Sequence, residues 1–290
     1  MYSFEVQEPI RRAVARIARE ELDQALEWLG GEDRALDRRV HEPRKHIKRL
    51  RGLLALTEGA IHEPLRRELL QLWRSAARAL AELRSSDALL ESLSSLQSEV
   101  GSALAESEWT RVREALQSTL GQSVVEPAQV LRFSWQQMEI ARSRVGELTT
   151  SVEGWPAFDF GFRQTYKTAR RALERAVARG SAEAFHAFRT PTKRHMYQIQ
   201  LLEPYWAGPL RARRHELSEL GERLGEHHDL CLLRVWLTTH GVPRSSAKDL
   251  FVSLDRHVDQ LEKRSIELGR RCFAETPRAI TRRFRAYVEA

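Results

Sequence analysis

From Pro9 onward the chain is a succession of apolar stripes at three- and four-residue spacing, broken by short glycine or proline signals, with no sustained period-two alternation. That pattern admits helices and no sheet. The first stripe, Ile10, Val14, Ile17, Leu22, Ala25 and Leu29, stops at Gly30-Gly31. A second runs from about Asp37 to Leu56 through Val40, Ile47, Leu50 and Leu54, with Pro43 expected near the first turn or at a kink. Further helices are expected over 65–83, through Leu89 to Leu96, and over 103–120, 128–150, 160–179, 182–202, 209–225, 228–239, 246–272 and 277–288. The breaks fall at Gly121, Gly154-Trp155-Pro156, Gly180-Ser181, Gly208-Pro209 and Gly241-Val242-Pro243. Composition agrees, because 290 residues hold only 15 Gly and 10 Pro while Ala, Leu, Arg and Glu dominate. Trp73, Trp109 and Trp236 sit at apolar helical positions and read as core.

Several function classes drop out. No stretch approaches the roughly 18 uncharged apolar residues of a membrane span. Arginines occupy the region where an export signal needs an apolar core, so a cytoplasmic location is expected. Cys231 and Cys272 are too few for a disulfide framework or a cysteine-rich zinc site. No glycine precedes a lysine, which removes the phosphate-binding nucleotide loop, and Gly-x-Ser-x-Gly is absent. One Glu-x-x-His, Glu183 to His186, falls short of the two that a di-iron bundle requires. His227-His228-Asp229 reads as a turn joining two helices, with Asp229 capping the second. No catalytic residue, cofactor or metal is expected.

The net charge of +7 hides segregation. Residues 160–214 carry twelve Lys/Arg against three acids, and 38–51 carry seven against Glu42 alone. Residues 87–130 reverse this, with seven acids and only Arg111 and Arg113. A chain using charge for solubility alone would mix the signs, so a polyanionic partner is indicated.

The basic stretches also repeat. His41, Arg44, Lys48 and Arg49 recur as His186, Arg189, Lys193 and Arg194 at a constant shift of 145. Upstream, Arg12/Arg16/Arg19 is echoed by Arg163/Lys167/Arg170, and downstream Ser85 to Leu90 is answered from Asp229 at a shift of 144. Two similar helical halves, about 1–150 and 151–290, are the simplest account. On a helix His41, Arg44 and Lys48 share one face, Arg51 extends it, and Lys45 and Arg49 flank it. Like charges stacked this way repel by a few tenths of a kcal/mol per pair, and an external anion is the natural compensation.

These residues resemble the CHAD domain, a family named for a conserved histidine and α-helical content. The run from His41 to Arg51 looks like its first signature and His186 to Arg194 like its second. Gly161 to Leu173, which adds Arg171, is similar to its third basic helix. Leu224 to Leu230 looks like its leucine-glycine-basic-aspartate turn, and Phe273 to Ile280 like its last helix start. The resemblance implies one compact all-α domain over 1–290, built of two pseudo-symmetric antiparallel four-helix bundles with a basic groove or pore between them. It further implies non-catalytic binding of inorganic polyphosphate and association with polyphosphate granules and granule proteins. No accompanying CYTH domain is visible. The contacts expected are His41, Arg44, Lys45, Lys48, Arg49 and Arg51, then His186, Arg189, Lys193 and Arg194. Arg12, Arg16, Arg19, Arg163, Lys167, Arg170 and Arg171 are expected to flank them. The alternatives are nucleic-acid binding, for which no stacking pattern of aromatics is present, and an enzyme or regulator acting on polyphosphate or a phosphorylated small molecule.

Overall fold

A computed structural model describes residues 2–83, 85–100, 106–120, 126–240 and 248–290. The eleven helices among them are α1 (Ile10–Gly30), α2 (Leu36–Leu56), α3 (Glu63–Glu82), α4 (Ser85–Val100), α5 (Glu106–Leu120), α6 (Pro127–Arg144), α7 (Pro156–Arg179), α8 (Ala182–Leu202), α9 (Ala207–Thr239), α10 (Lys248–Cys272) and α11 (Pro277–Glu289). No strand is present among the described residues, whose only extended pairing is the bridge between Ile61 and Thr150. The chain is all-α, as its periodicity dictates.

The helices start and stop for local reasons. Gly180 takes a left-handed φ of 55° at the end of α7, and the Ser181 hydroxyl then accepts the Ala184 N–H to open α8. Pro9 before α1 offers no side-chain cap. Glu153 from the mid-chain connection supplies one, accepting the Ile10 N–H at 2.7 Å and the Arg11 N–H at 3.3 Å.

Two readings of the sequence need correction. The stretch from Leu224 to Leu230 is no turn, because α9 runs unbroken for 33 residues through it. Gly225 and Gly221 serve packing there: a Cβ on Gly221 would stand 2.6 Å from Lys193 Cδ, and one on Gly225 3.3 Å from Arg189 Nε. Asp229 is therefore mid-helix and caps nothing. Gly208-Pro209 likewise lies inside the first turn of α9, and the chain breaks earlier, in the 3-10 turn Glu203–Tyr205. Pro43 is interior to α2 and buried. The expected breaks at Gly121 and Gly241-Val242-Pro243 lie outside the described residues, as do the side chains of Ser85, Ser86 and Asp87.

In the first half α1 packs on α2 and α6, and α3 on α6 and α2. In the second, α8 packs on α7 and α9, and α10 on α9, with α11 against α7. The α4–α5 pair leaves the first bundle. Leu93, Leu96, Trp109, Val112 and Leu116 bury themselves against Leu233, Trp236, Phe251 and Leu254 of α9 and α10. One apolar cluster runs through both halves, from Tyr2 and Phe4 through Ile17, Leu50 and Trp73 to Phe162, Phe188 and Phe284. The halves meet where α2 lies against α7 and α8. The approach at α7 is so close that a Cβ on Gly161 would fall 2.1 Å from the Ala55 carbonyl oxygen. The N-terminal segment laces the same junction, with the Phe4 N–H on the Leu201 carbonyl and the Tyr2 hydroxyl on the Arg49 carbonyl.

Gly161→Ala is therefore expected to destabilise the protein by about 3 kcal/mol, since the clash is with backbone that cannot rotate away. Gly208→Ala, where no atom lies within 4 Å of the added methyl, should be neutral or stabilising by about 0.5–1 kcal/mol. Urea unfolding of the two variants side by side reads out the difference.

Candidate functional site

Alpha-helix α2 is enclosed by α1, α3, α7 and α8, so each of its cations must find a partner inside the fold or face a cavity. Arg49 turns inward. Its Nη1 lies 3.3 Å from both oxygens of the buried Glu21 on α1, whose Oε2 also holds His46 Nδ1 at 2.6 Å. Arg44 donates to the Ala77 carbonyl of α3 at 2.9 Å, and Lys45 pairs with Glu42 at 3.3 Å. Of these three cations, expected to hold the anion, Arg49 and Arg44 tie α2 to α1 and α3, while Lys45 pairs within α2 itself.

Lys48 and Arg51 turn the other way, toward α8. They line a small cavity of about 90 Å³ together with Arg189, Lys193, Arg194 and Tyr197. Arg51 and Arg194 also border a much larger open cavity of about 740 Å³ whose far wall is α3, with Arg66, Arg67, Arg74 and Arg78. Arg66 is held by Glu58 at 3.1 Å and Glu63 at 2.7 Å. Among the described residues Arg51, Arg74, Lys193 and Arg194 form no ion pair. Burial lowers the pKa of Arg51, and the charges of Arg194 and Arg74 lower it further. Arg194 is lowered the same way, by burial and by Arg74 and Arg66, with Glu58 opposing. Lys193 is lowered by burial and by Arg189 against Glu222. Half-buried cations that lower one another's pKa are short of negative charge.

The α3 arginines escaped the sequence reading. Arg67, Gln71, Arg74 and Arg78 stand at i, i+4, i+7 and i+11, the phase rule that singled out Arg12, Arg16 and Arg19. Phase marks them but the repeat does not, because at a shift of 144 only Arg67 has a basic counterpart, Arg211, while Arg74 and Arg78 fall on Ser218 and Glu222.

The histidines behave differently from a charged ladder. The His186 and His228 rings lie against each other with centroids 4.1 Å apart and planes tilted by 37°. Burial first, then Arg189, lowers the pKa of His186, while Asp229 opposes. His228 is pushed down to about 4 by burial, with His186, Arg189 and His227 adding to it. His41 lines a separate recess of about 430 Å³ beside Asp37, Glu42 and Glu91.

The flanking residues lie elsewhere too. Arg16 is bound by Glu8 at 2.6 Å and Glu20 at 3.0 Å. Arg170 donates to the Glu275 carbonyl at 2.7 Å. Arg163, paired with Asp159, borders a cavity between α7 and α11 with Arg278, Arg282 and Arg285. Arg12, Arg19, Lys167 and Arg171 border neither of the two cavities at the α2–α8 junction.

Residues 12–238 match the family described as CHAD domain. No curated protein sequence matches the chain. Among solved structures, PptA from Streptomyces chartreusis aligns with a TM-score of 0.52 at 16% identity, covering 91% of this chain and 97% of that one. The CHAD domain from the plant Ricinus communis aligns with a TM-score of 0.50 at 19% identity, covering 96% and 90%. These likenesses establish a shared fold.

Two outcomes separate clamp from cavity. Arg49→Ala should cost about 1–3 kcal/mol, because Glu21 loses a buried partner, whereas Arg194→Ala should stay within about 0.5 kcal/mol of the parent. Burial of His228 beside His186 sets a pH dependence. The unfolded chain binds a proton at His228 near pH 6.5 and the native one only near 4, so stability should fall as pH drops through that window. Thermal melts across it should show the loss, and His228→Phe should reduce it.

Proposed function

The chain belongs to the CHAD domain family, and from that premise we propose that it binds inorganic polyphosphate, without transforming it, in the groove where α2, α3 and α8 meet. The observation that carries this reading is the meeting of Arg51, Arg74 and Arg194 on one cavity, where burial first and then the charges of Arg194 and Arg74 lower the pKa of Arg51, with no carboxylate ion-paired to any of the three. Phosphate oxygens supply the missing charge, and a guanidinium offers two parallel donors to each phosphate. A flexible chain of phosphates can follow a bend between helices that a stiff duplex cannot enter. The carboxylates of the large cavity, Glu58 and Glu63, are engaged by Arg66, which supports binding over metal-assisted hydrolysis. Residence on polyphosphate granules follows from such affinity.

Titration with polyphosphate at two salt concentrations, with duplex DNA alongside and phosphate release followed in magnesium, tests the reading. Tight, salt-sensitive binding of polyphosphate in preference to DNA, with no phosphate released, is expected. Equal binding of duplex DNA would favour the nucleic-acid alternative, and phosphate release would favour an enzyme. Replacing Arg51, Arg74 and Arg194 together by Ala should weaken polyphosphate binding by several kcal/mol at low salt, at roughly 1.5–3 kcal/mol for each well-formed charged hydrogen bond. The slope of log affinity against log salt should shrink by about two units. Helix content should not change.

A further inference from the structure

We infer that the groove is one-ended: a phosphate chain occupies it from the α3 side as far as Arg189 and Lys193, and carboxylates of α4 and α9 stop it there. The inference rests on polyphosphate binding in this groove and concerns how the chain lies in it.

Charge changes sign along the groove. The large cavity holds six guanidiniums against Glu58 and Glu63. The small cavity at the α2–α8 crossing has Lys48, Arg51, Arg189, Lys193 and Arg194 and no acid. Beyond it, sharing Arg189 and Lys193, opens a recess of about 300 Å³ where those two cations face Glu91 of α4 and Glu222, Glu226 and Asp229 of α9. The recess at the start of α2 also borders Glu91, with Asp37 and Glu42 against Arg38 and His41. An anion leaving Lys193 in that direction meets more carboxylates than cations.

The internal repeat shows where the sign was lost. A shift of 144 aligns the buried Trp73, Ala76 and Leu80 of α3 with the buried Leu217, Leu220 and Leu224 of α9. In that register Arg74 corresponds to Ser218 and Arg78 to Glu222. The helix that walls one end with arginine has a counterpart that walls the other with acid. Threading between the bundles is opposed by charge.

A one-ended groove makes a length-dependent ligand. Affinity, expressed per phosphate unit, should rise from tripolyphosphate to a medium chain and then level off, since further phosphates leave by the α3 mouth. Glu91→Gln with Glu222→Gln halves the carboxylates of the stop, and both side chains are exposed, so the fold is kept. In this variant long chains should tighten by about threefold or more while tripolyphosphate is unchanged. A control carrying Glu174→Gln and Glu289→Gln, equal in charge and remote from the groove, should shift every length alike. Superimposable length profiles for the groove variant and the parent, or a parent profile that never levels off, would overturn the one-ended groove while leaving polyphosphate binding intact. Failure of the parent to bind any chain would instead overturn the polyphosphate reading, and this inference with it.

Discussion

The enclosure of α2 by four other helices governs this molecule. A helix with seven Lys/Arg from Arg38 to Arg51 would ordinarily spend them on solvent. Here they are sorted by what stands opposite. Glu21 neutralises Arg49, a carbonyl of α3 takes Arg44, and Glu42 takes Lys45. Lys48 and Arg51 face α8, which brings Arg189, Lys193 and Arg194 to the same place. The fold gathers cations where burial strengthens their repulsion. The apolar cluster through both halves and the contact at Gly161 hold the helices together against it.

Much of this was legible in the chain. Helical periodicity located the described helices, and the 145-residue repeat picked out α2 and α8, the two helices that cross. Phase separates Arg49 from Arg51 but does not say which of them meets a buried acid. They sit two residues apart on opposite sides of one helix, and their roles depend on whether a neighbour offers a buried acid. Glu21 lies 28 residues before Arg49, and nothing local links them. The continuity of α9 was hidden for a related reason. Gly225 resembles a helix stop until Arg189 is seen packed against it. The α3 arginines were visible at helical spacing but lacked the repeat that drew attention elsewhere.

The two halves marked by the sequence repeat differ at α4 and α5. In the second half, the segment equivalent to α3 and α4 is the single helix α9, and the fourth position of the first bundle is filled by α6. The α4–α5 pair is thereby free to bury Leu93, Leu96 and Trp109 against α9 and α10, which carries Glu91 across to the far side of Lys193.

The acidic end is also tied to packing. Glu226 holds His257 of α10 at 2.8 Å, and on the neighbouring residue His227 meets Glu262 of α10 at 3.0 Å. These contacts fasten α10 to α9 at the level of the groove. A carboxylate at Glu226 therefore serves the bundle whether or not an anion is present. Exchanging it for a cation would oppose His257 as well as lengthen the basic run. On α3 the arginines carry no such obligation, since Arg67, Arg74 and Arg78 project from its exposed face. The basic end can hold charge because Arg67, Arg74 and Arg78 take no part in packing α3, which meets its neighbours through its apolar stripe, the Arg44 bond to the Ala77 carbonyl and the Glu68–Arg144 pair. The acidic end cannot become basic without giving up contacts that keep the second bundle closed.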